Sequence, residues 1–236
     1  MRARILFVPI FASFEASRFA EVTGDWACVE SFDSPGTGAH ADEEPGGFAQ
    51  VAAAGAERLD ELGWDACILA CDSHAQAAGA ELAVRDPRIR GLAMGHPALR
   101  YDPSGPRPTL NPGVHSAARQ LLETDYRSFG RALTQLTQGA LDDEWVDAFL
   151  ADVPRDTAYT RMTELADGVE LASRLAGEDL ELLLGRHVGC MMWTSEGFED
   201  AAATLPHAAT VDCEVVPMAD PAFHAALRQL CQRVLG

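Results

Sequence analysis

A serine stands between a short apolar run and a small-residue helix at Cys71-Asp72-Ser73-His74-Ala75, and this stretch constrains the chain more than any other. The run before it is Asp65-Ala66-Cys67-Ile68-Leu69-Ala70, and a helix begins at about Gln76 with Ala77, Ala78, Gly79 and Ala80. Strand, sharp turn and helix is the context in which a five-residue serine motif becomes a nucleophile elbow. Such a turn lifts the serine oxygen to the top of a sheet and leaves the next backbone N–H, that of His74, to stabilise an oxyanion. The flanking positions that usually carry glycine hold Cys71 and Ala75, both small enough for strand and helix to pass closely.

The segment on the N-terminal side has a matching order. Arg4 to Pro9 reads as a buried strand, and Ala27 to Phe32 as another that runs into Asp33-Ser34-Pro35-Gly36-Thr37-Gly38. After the elbow, residues 83–94 read as the end of a helix, an Asp-Pro turn and a further strand. On these residues the chain resembles the α/β-hydrolase family: strand, oxyanion loop, helix, strand, D-x-P-G-x-G turn, helix and elbow follow in that order across residues 4–97. The resemblance implies an α/β fold with a mostly parallel sheet of about six strands and helices on both faces. It also implies a core made of residues 1–97 and 186–236, with a helical cap inserted at about 98–185.

Periodicity fills in the rest. Phe48, Val51, Ala52, Leu59 and Leu62 recur at helical spacing, so 46–62 reads as a helix with one face on the sheet. Gly55 falls on that stripe, where the missing side chain lets helix and sheet approach closely. Residues 98–185 contain no convincing strand. They open with a Pro/Gly loop and continue as helices at about 115–139, 142–151, 156–167 and 168–184. Val188 to Trp193 and Val211 to Val216 supply the last two strands, and Pro221 to Leu235 the final helix, with Phe223, Leu227, Leu230 and Val234 on its buried stripe.

A chain of 236 residues with 47% hydrophobic content has room for one α/β domain and a modest insertion. No run of 18 apolar residues exists, and Met1-Arg2-Ala3-Arg4 leads straight into a strand with no small-residue cleavage site, so a cytoplasmic protein that does not enter the membrane is expected. The six cysteines show no paired metal spacing, and four sit in strand-like runs, which predicts reduced core thiols and no metal or other cofactor. A net charge of −18 argues against nucleic acid as a partner. All 18 basic residues are arginine, so Schiff-base chemistry on a lysine is excluded as well. Eight of them fall within 85–131, a local balance of +4 in an acidic protein. An anionic substrate or the acidic surface of a carrier domain would dock there by charge complementarity. A solvated helix face is the plainer meaning.

The resemblance implies three catalytic partners in chain order: serine, acid, histidine. Ser73 supplies the nucleophile. Glu196, just past Met191-Met192-Trp193, holds the acid's place, with Glu199 and Asp200 nearby, and these carboxylates read equally well as caps on a helix near Phe198. The histidine's place is where the pattern breaks. The chain reads Val216-Pro217-Met218-Ala219-Asp220-Pro221 there, and His224 lies inside the last helix beside Phe223. His96 follows the strand next to the elbow strand, a spacing of about 4.8 Å, and is the candidate base, or else a structural histidine that anchors the cap. His40, in a long loop, is a weaker candidate.

The oxyanion loop also departs from the family's His-Gly. It reads Pro9-Ile10-Phe11, and proline has no N–H, so Ile10 or Phe11 must supply the donor that joins His74. Phe11, Phe14 and Trp193 are candidate aromatic lining of the pocket, and Arg100 a candidate substrate contact. The sum is serine acyl transfer in small-molecule biosynthesis, by a thioesterase-like hydrolase or an acyltransferase acting on a small-molecule or carrier-bound acyl group. The alternatives are a non-hydrolytic epimerase, lyase or cyclase, and a binding protein without activity. A homodimer is left open.

Overall fold

Alternation of apolar residues along the strands decides how the layers stack. The computed structural model describes residues 2–72, 75–95, 112–138, 142–167, 189–194, 214–217 and 221–236. Its strands are β1 (Ala3–Val8), β2 (Ala27–Glu30), β3 (Cys67–Asp72), β4 (Ile89–Gly95), β5 (Gly189–Thr194) and β6 (Glu214–Pro217). They form one six-stranded sheet in the order β2-β1-β3-β4-β5-β6, parallel throughout. Parallel strands need crossover helices, and those helices cover both faces.

Leu6, Val8, Leu69 and Cys71 point to one face, and they pack with Val51 and Leu59 of α2 (Phe48–Leu62) and Leu82 of α3 (Gln76–Arg85). Ile5, Phe7, Ile68, Ala70 and Ala93 point to the other. There they meet Phe19 of α1 (Ala16–Thr23) and Phe223, Leu227 and Leu230 of α8 (Pro221–Leu235). Each fully buried aliphatic side chain of this kind stabilises the fold by about 1.5–3 kcal/mol. The stripe read for the last helix is therefore its buried face.

Two close approaches depend on a missing side chain: Gly55 of α2 faces α3 and the loop after β2 rather than the sheet expected from its stripe, and Gly79 of α3 faces β3. A Cβ at Gly55 would lie 2.8 Å from Leu82 Cδ2 and 3.1 Å from the Phe32 ring. One at Gly79, in the second turn of α3, would lie 2.9 Å from Cys71 Sγ and 3.0 Å from Leu69 Cδ2. The helix that follows the elbow strand thus lies directly on that strand.

Between β4 and β5 the chain inserts α4 (Pro112–Thr124), α5 (Tyr126–Gln138), α6 (Asp143–Asp152) and α7 (Arg155–Asp167). The single helix expected at 115–139 is two, divided at Asp125. The Asp125 carboxylate accepts from the N–H of Ser128 at 3.1 Å and from its hydroxyl at 2.6 Å, so it caps a new helix and ends the old one. β1 and β2 stop at Val8 and Glu30, short of the Pro9 and Phe32 read from sequence. Beyond Glu30 the Ser31 hydroxyl donates to Phe7 O at 2.9 Å. The helix expected at 168–184 lies outside the described residues.

Gly79→Ala tests the close crossing. Overpacking against Cys71 and Leu69 should outweigh alanine's better helix propensity and cost about 1–2 kcal/mol net. Thermal denaturation should show a midpoint lower by about 2–4 °C per kcal/mol lost.

Candidate active site

Parallel register sets the C-terminal ends of the central strands side by side. Val8 pairs with Cys71, Asp72 with Gly95, and Gly95 with Trp193. The strands therefore end in one row, immediately before positions 9, 73, 96 and 195. Open parallel sheets bind ligands in the crevice at this edge. Gln76, buried in the first turn of α3, donates from Nε2 to Gly95 O and ties the helix after the elbow to the end of the neighbouring strand.

The loop after β1 carries the site's sharpest geometry. The Ile10 N–H donates to Glu15 Oε2 at 3.1 Å, while the N–H groups of Phe11 and Ala12 converge on Glu15 Oε1 at 2.6 and 3.1 Å. Glu15 closes the one-turn 3-10 helix Ser13–Glu15, whose N-cap is Ala12. A carboxylate reaching back to its N-cap is half of a capping box. Here it reaches two residues further, to both N–H groups that the sequence offers as oxyanion donors.

The D-x-P-G-x-G loop folds against this one. Asp33 Oδ1 accepts from the Ser13 N–H at 2.9 Å and Oδ2 from the Ala39 N–H at 3.1 Å. Burial pushes the Asp33 carboxyl up, but these donors outweigh it and hold the group below its usual range. Burial, and then the charge of Asp33, push the Asp152 carboxyl up. Ser34 and Thr37 close the turn through their own bonds: the Ser34 N–H donates to Thr37 Oγ1 at 3.0 Å, and the Thr37 hydroxyl to Ser34 O at 2.7 Å. Gly36 sits at φ 84°, and a Cβ there would lie 2.6 Å from Thr157 Oγ1.

Helix α7 docks on both loops. The Thr157 hydroxyl donates to Gly36 O at 2.6 Å. One turn later Arg161, wholly buried, donates from its two terminal nitrogens to Ile10 O at 3.0 Å, to Ser34 Oγ at 2.8 Å and to Pro35 O at 3.5 Å. Ile10 O and the Phe11 N–H belong to one peptide unit. Its carbonyl is held by Arg161 and its N–H by Glu15, so the orientation of that peptide is fixed from both sides.

The predicted site residues divide between described and undescribed segments. Ser73, His74, His96, Arg100 and Glu196 lie outside the described residues, and Trp193 is described only as part of β5. Phe11 is buried, edge-to-face on Phe149 of α6 at 5.2 Å, and Phe14 is edge-to-face on Trp145 at 5.2 Å. Trp145 in turn stacks on Phe149 at 5.5 Å. The aromatics of the loop after β1 are thus the floor on which the inserted helices sit. His40 Nδ1 lies 2.8 Å from the Glu43 carboxylate at the exposed end of its loop. His224 is partly buried against Phe223. Nothing in the sequence marks Arg161 or Thr157 for these roles, while a Glu three residues after Ala12 is the capping signal by which Glu15 could be found.

Among the described residues no group of three or more His, Cys, Asp or Glu is placed to hold a metal ion, and no helix is long and apolar enough to cross a membrane. Cys67, Cys71 and Cys231 are buried thiols, and Cys28 is a half-buried one.

No protein-family model matches the chain, and no curated protein matches its sequence. Solved structures do match its fold. A bromoperoxidase from Bacillus anthracis is 13% identical with a TM-score of 0.72, over 98% of this chain and 92% of that one. A hydrolase from Oleispira antarctica is likewise 13% identical at 0.72, over 98% and 91%. MenH from S. aureus is 15% identical at 0.65, over 99% and 95%. The chain has the α/β-hydrolase fold.

Arg161→Leu tests the docking of α7. It leaves Ile10 O and Ser34 Oγ without their cationic donor inside the protein, at a cost of about 2–4 kcal/mol in chemical denaturation. An exposed arginine such as Arg131, replaced in the same way, should change stability by less than about 1 kcal/mol.

Proposed function

On an α/β-hydrolase fold, we propose that this chain is an enzyme of small-molecule metabolism that transfers or hydrolyses an acyl group through Ser73. The observation that carries this reading is the close crossing at the elbow. β3 ends at Asp72 and α3 begins at Gln76, which leaves three residues for the reversal, and Gly79 lets the helix lie on Cys71 of the strand it leaves. A reversal this tight is what exposes the side chain of a serine placed directly after the strand, as Ser73 is.

The chemistry would run as follows on an acyl thioester. Ser73 Oγ attacks the carbonyl carbon as its proton passes to His96, the next strand's first residue past the sheet, with Glu196 orienting the imidazole. The tetrahedral oxyanion is received by the N–H of His74 and by that of Ile10 or Phe11. Collapse breaks the C–S bond, and His96 returns its proton to the departing thiolate. Water or an acceptor hydroxyl then repeats the sequence to free the serine. Arg100 would hold an anionic part of the substrate, whether a free small molecule or a carrier-bound group, in the cytoplasm.

A second reading, a non-hydrolytic epimerase, lyase or cyclase or a binding protein without activity, is favoured by one observation. Glu15 occupies the N–H groups that acyl transfer needs.

Ser73→Ala separates the two. It should abolish labelling by a fluorophosphonate probe and lower thioester turnover by at least about a thousandfold. Its melting temperature should stay within about 1 °C of wild type, since a residue at such a turn contributes little to the core. Turnover that survives the substitution would leave the second reading standing.

A further inference from the structure

Two N–H donors converging on one negatively charged oxygen at 2.6 and 3.1 Å is the arrangement an oxyanion site presents to a tetrahedral intermediate. In this chain the oxygen is Oε1 of Glu15. We propose that Glu15 is an internal occupant of the oxyanion site, so that the resting protein is self-inhibited and becomes competent only when substrate displaces the carboxylate; this rests on the reading of Ser73 as a nucleophile.

Three observations set this apart from ordinary helix capping. A capping glutamate needs only the N-cap N–H, here that of Ala12. Glu15 also takes Ile10 and Phe11, which precede the cap. The second observation is that the backbone carrying the donors has anchors besides Glu15. Ile10 O is fixed by Arg161, the Ser13 N–H by Asp33, and Phe11 is wedged on Phe149. Rotation of the Glu15 side chain would therefore leave the donors in place and pointing at an empty position. The third is that Glu15 is partly exposed while the peptide it covers is not, which gives its carboxylate a route to water.

The exchange conserves charge at the site, one anion for another, and breaks no covalent bond. An acyl carbonyl in its ground state is neutral and competes poorly with a carboxylate. The developing oxyanion competes well, and a substrate anchored elsewhere competes better still.

The test compares wild type with Glu15→Ala and Glu15→Gln by the rate at which a fluorophosphonate labels Ser73, with Ser73→Ala as the blank. One donor of an oxyanion site is worth about 10²–10³ in rate, so release of the site should raise the labelling rate of Glu15→Ala at least about tenfold, with Glu15→Gln intermediate. A labelling rate that is unchanged or lower in the folded variants overturns the proposal. Glu15→Gln keeps an acceptor oxygen for the loop and serves as the folded variant where Glu15→Ala is not. If no protein is labelled, the Ser73 reading fails by itself, and amide chemical shifts decide the matter. Acetate should then move the Phe11 and Ala12 amide resonances saturably in the Glu15 variant and not in wild type. No acetate effect in the folded variant overturns the proposal.

Discussion

A guanidinium with no exposure to solvent is tolerable only where oxygens receive its donors, and both terminal nitrogens of Arg161 find theirs on two loops far away in sequence. The loop after β1 gives it Ile10 O. The loop after β2 gives it Ser34 Oγ and Pro35 O. Both loops rise from the same edge of the sheet, so one charged group belonging to the inserted helices fixes their separation. Thr157 to Gly36 O, one turn earlier on the same face of α7, keeps that helix from rotating about the contact. The insertion is therefore part of the site's framework, and the aromatic contacts of Phe11 and Phe14 with α6 extend the same attachment.

What could be read from the sequence follows from which interactions are local. The run at 65–70, whose strand lies two residues further on at Cys67–Asp72, the small-residue start of α3 and the D-x-P-G-x-G turn each depend on residues near them in the chain. Gly55 could be placed against a close neighbour because a glycine on an apolar helical stripe has few other purposes. Arg161 could not. Its partners lie more than 120 residues away, and an arginine in an amphipathic helix gives no sign of which way it points. The division at Asp125 escaped for a different reason. Helical periodicity runs through it with little change of phase, and only the carboxylate's bonds to Ser128 reveal a cap. The candidate triad stands otherwise, since Ser73, His96 and Glu196 lie outside the described residues, and only the ends of their strands are fixed in register.

Charge shows the same limit of one-dimensional reading. The arginines of 85–131 give a local excess of positive charge along the chain, yet in space most of those described are matched. Arg85 meets Glu81, Arg88 meets Asp60 and Asp86, Arg119 meets Glu123, Arg127 meets Asp147, and Arg131 meets Asp143. Several of those acids come from outside the stretch. Exposed pairs of this kind add little to stability, but each removes a source of the field that would steer an anion from a distance. Attraction of an anionic partner then falls to the arginines that no carboxylate offsets. The buried thiols are inert in their own way: burial pushes Cys67 and Cys231 up to about 12, so neither carries appreciable thiolate at neutral pH.

An oxyanion site accelerates a reaction by the difference between what its donors do for the transition state and what they do beforehand. Donors open to water exchange weak bonds for strong ones as the oxyanion forms. Donors that already hold a carboxylate start from bonds nearly as strong, so most of the gain is cancelled until the carboxylate leaves. The exchange must then be driven from elsewhere, by contacts the substrate makes away from the reacting carbon. Here those contacts would fall on the inserted helices, which also hold the peptide that carries the Phe11 donor. Binding and activation would thereby be coupled through Arg161, and a substrate too small to engage the insertion would find the site closed. Such an arrangement gives up rate on poor substrates in return for selectivity, the exchange that an acid set across two converging donors would make.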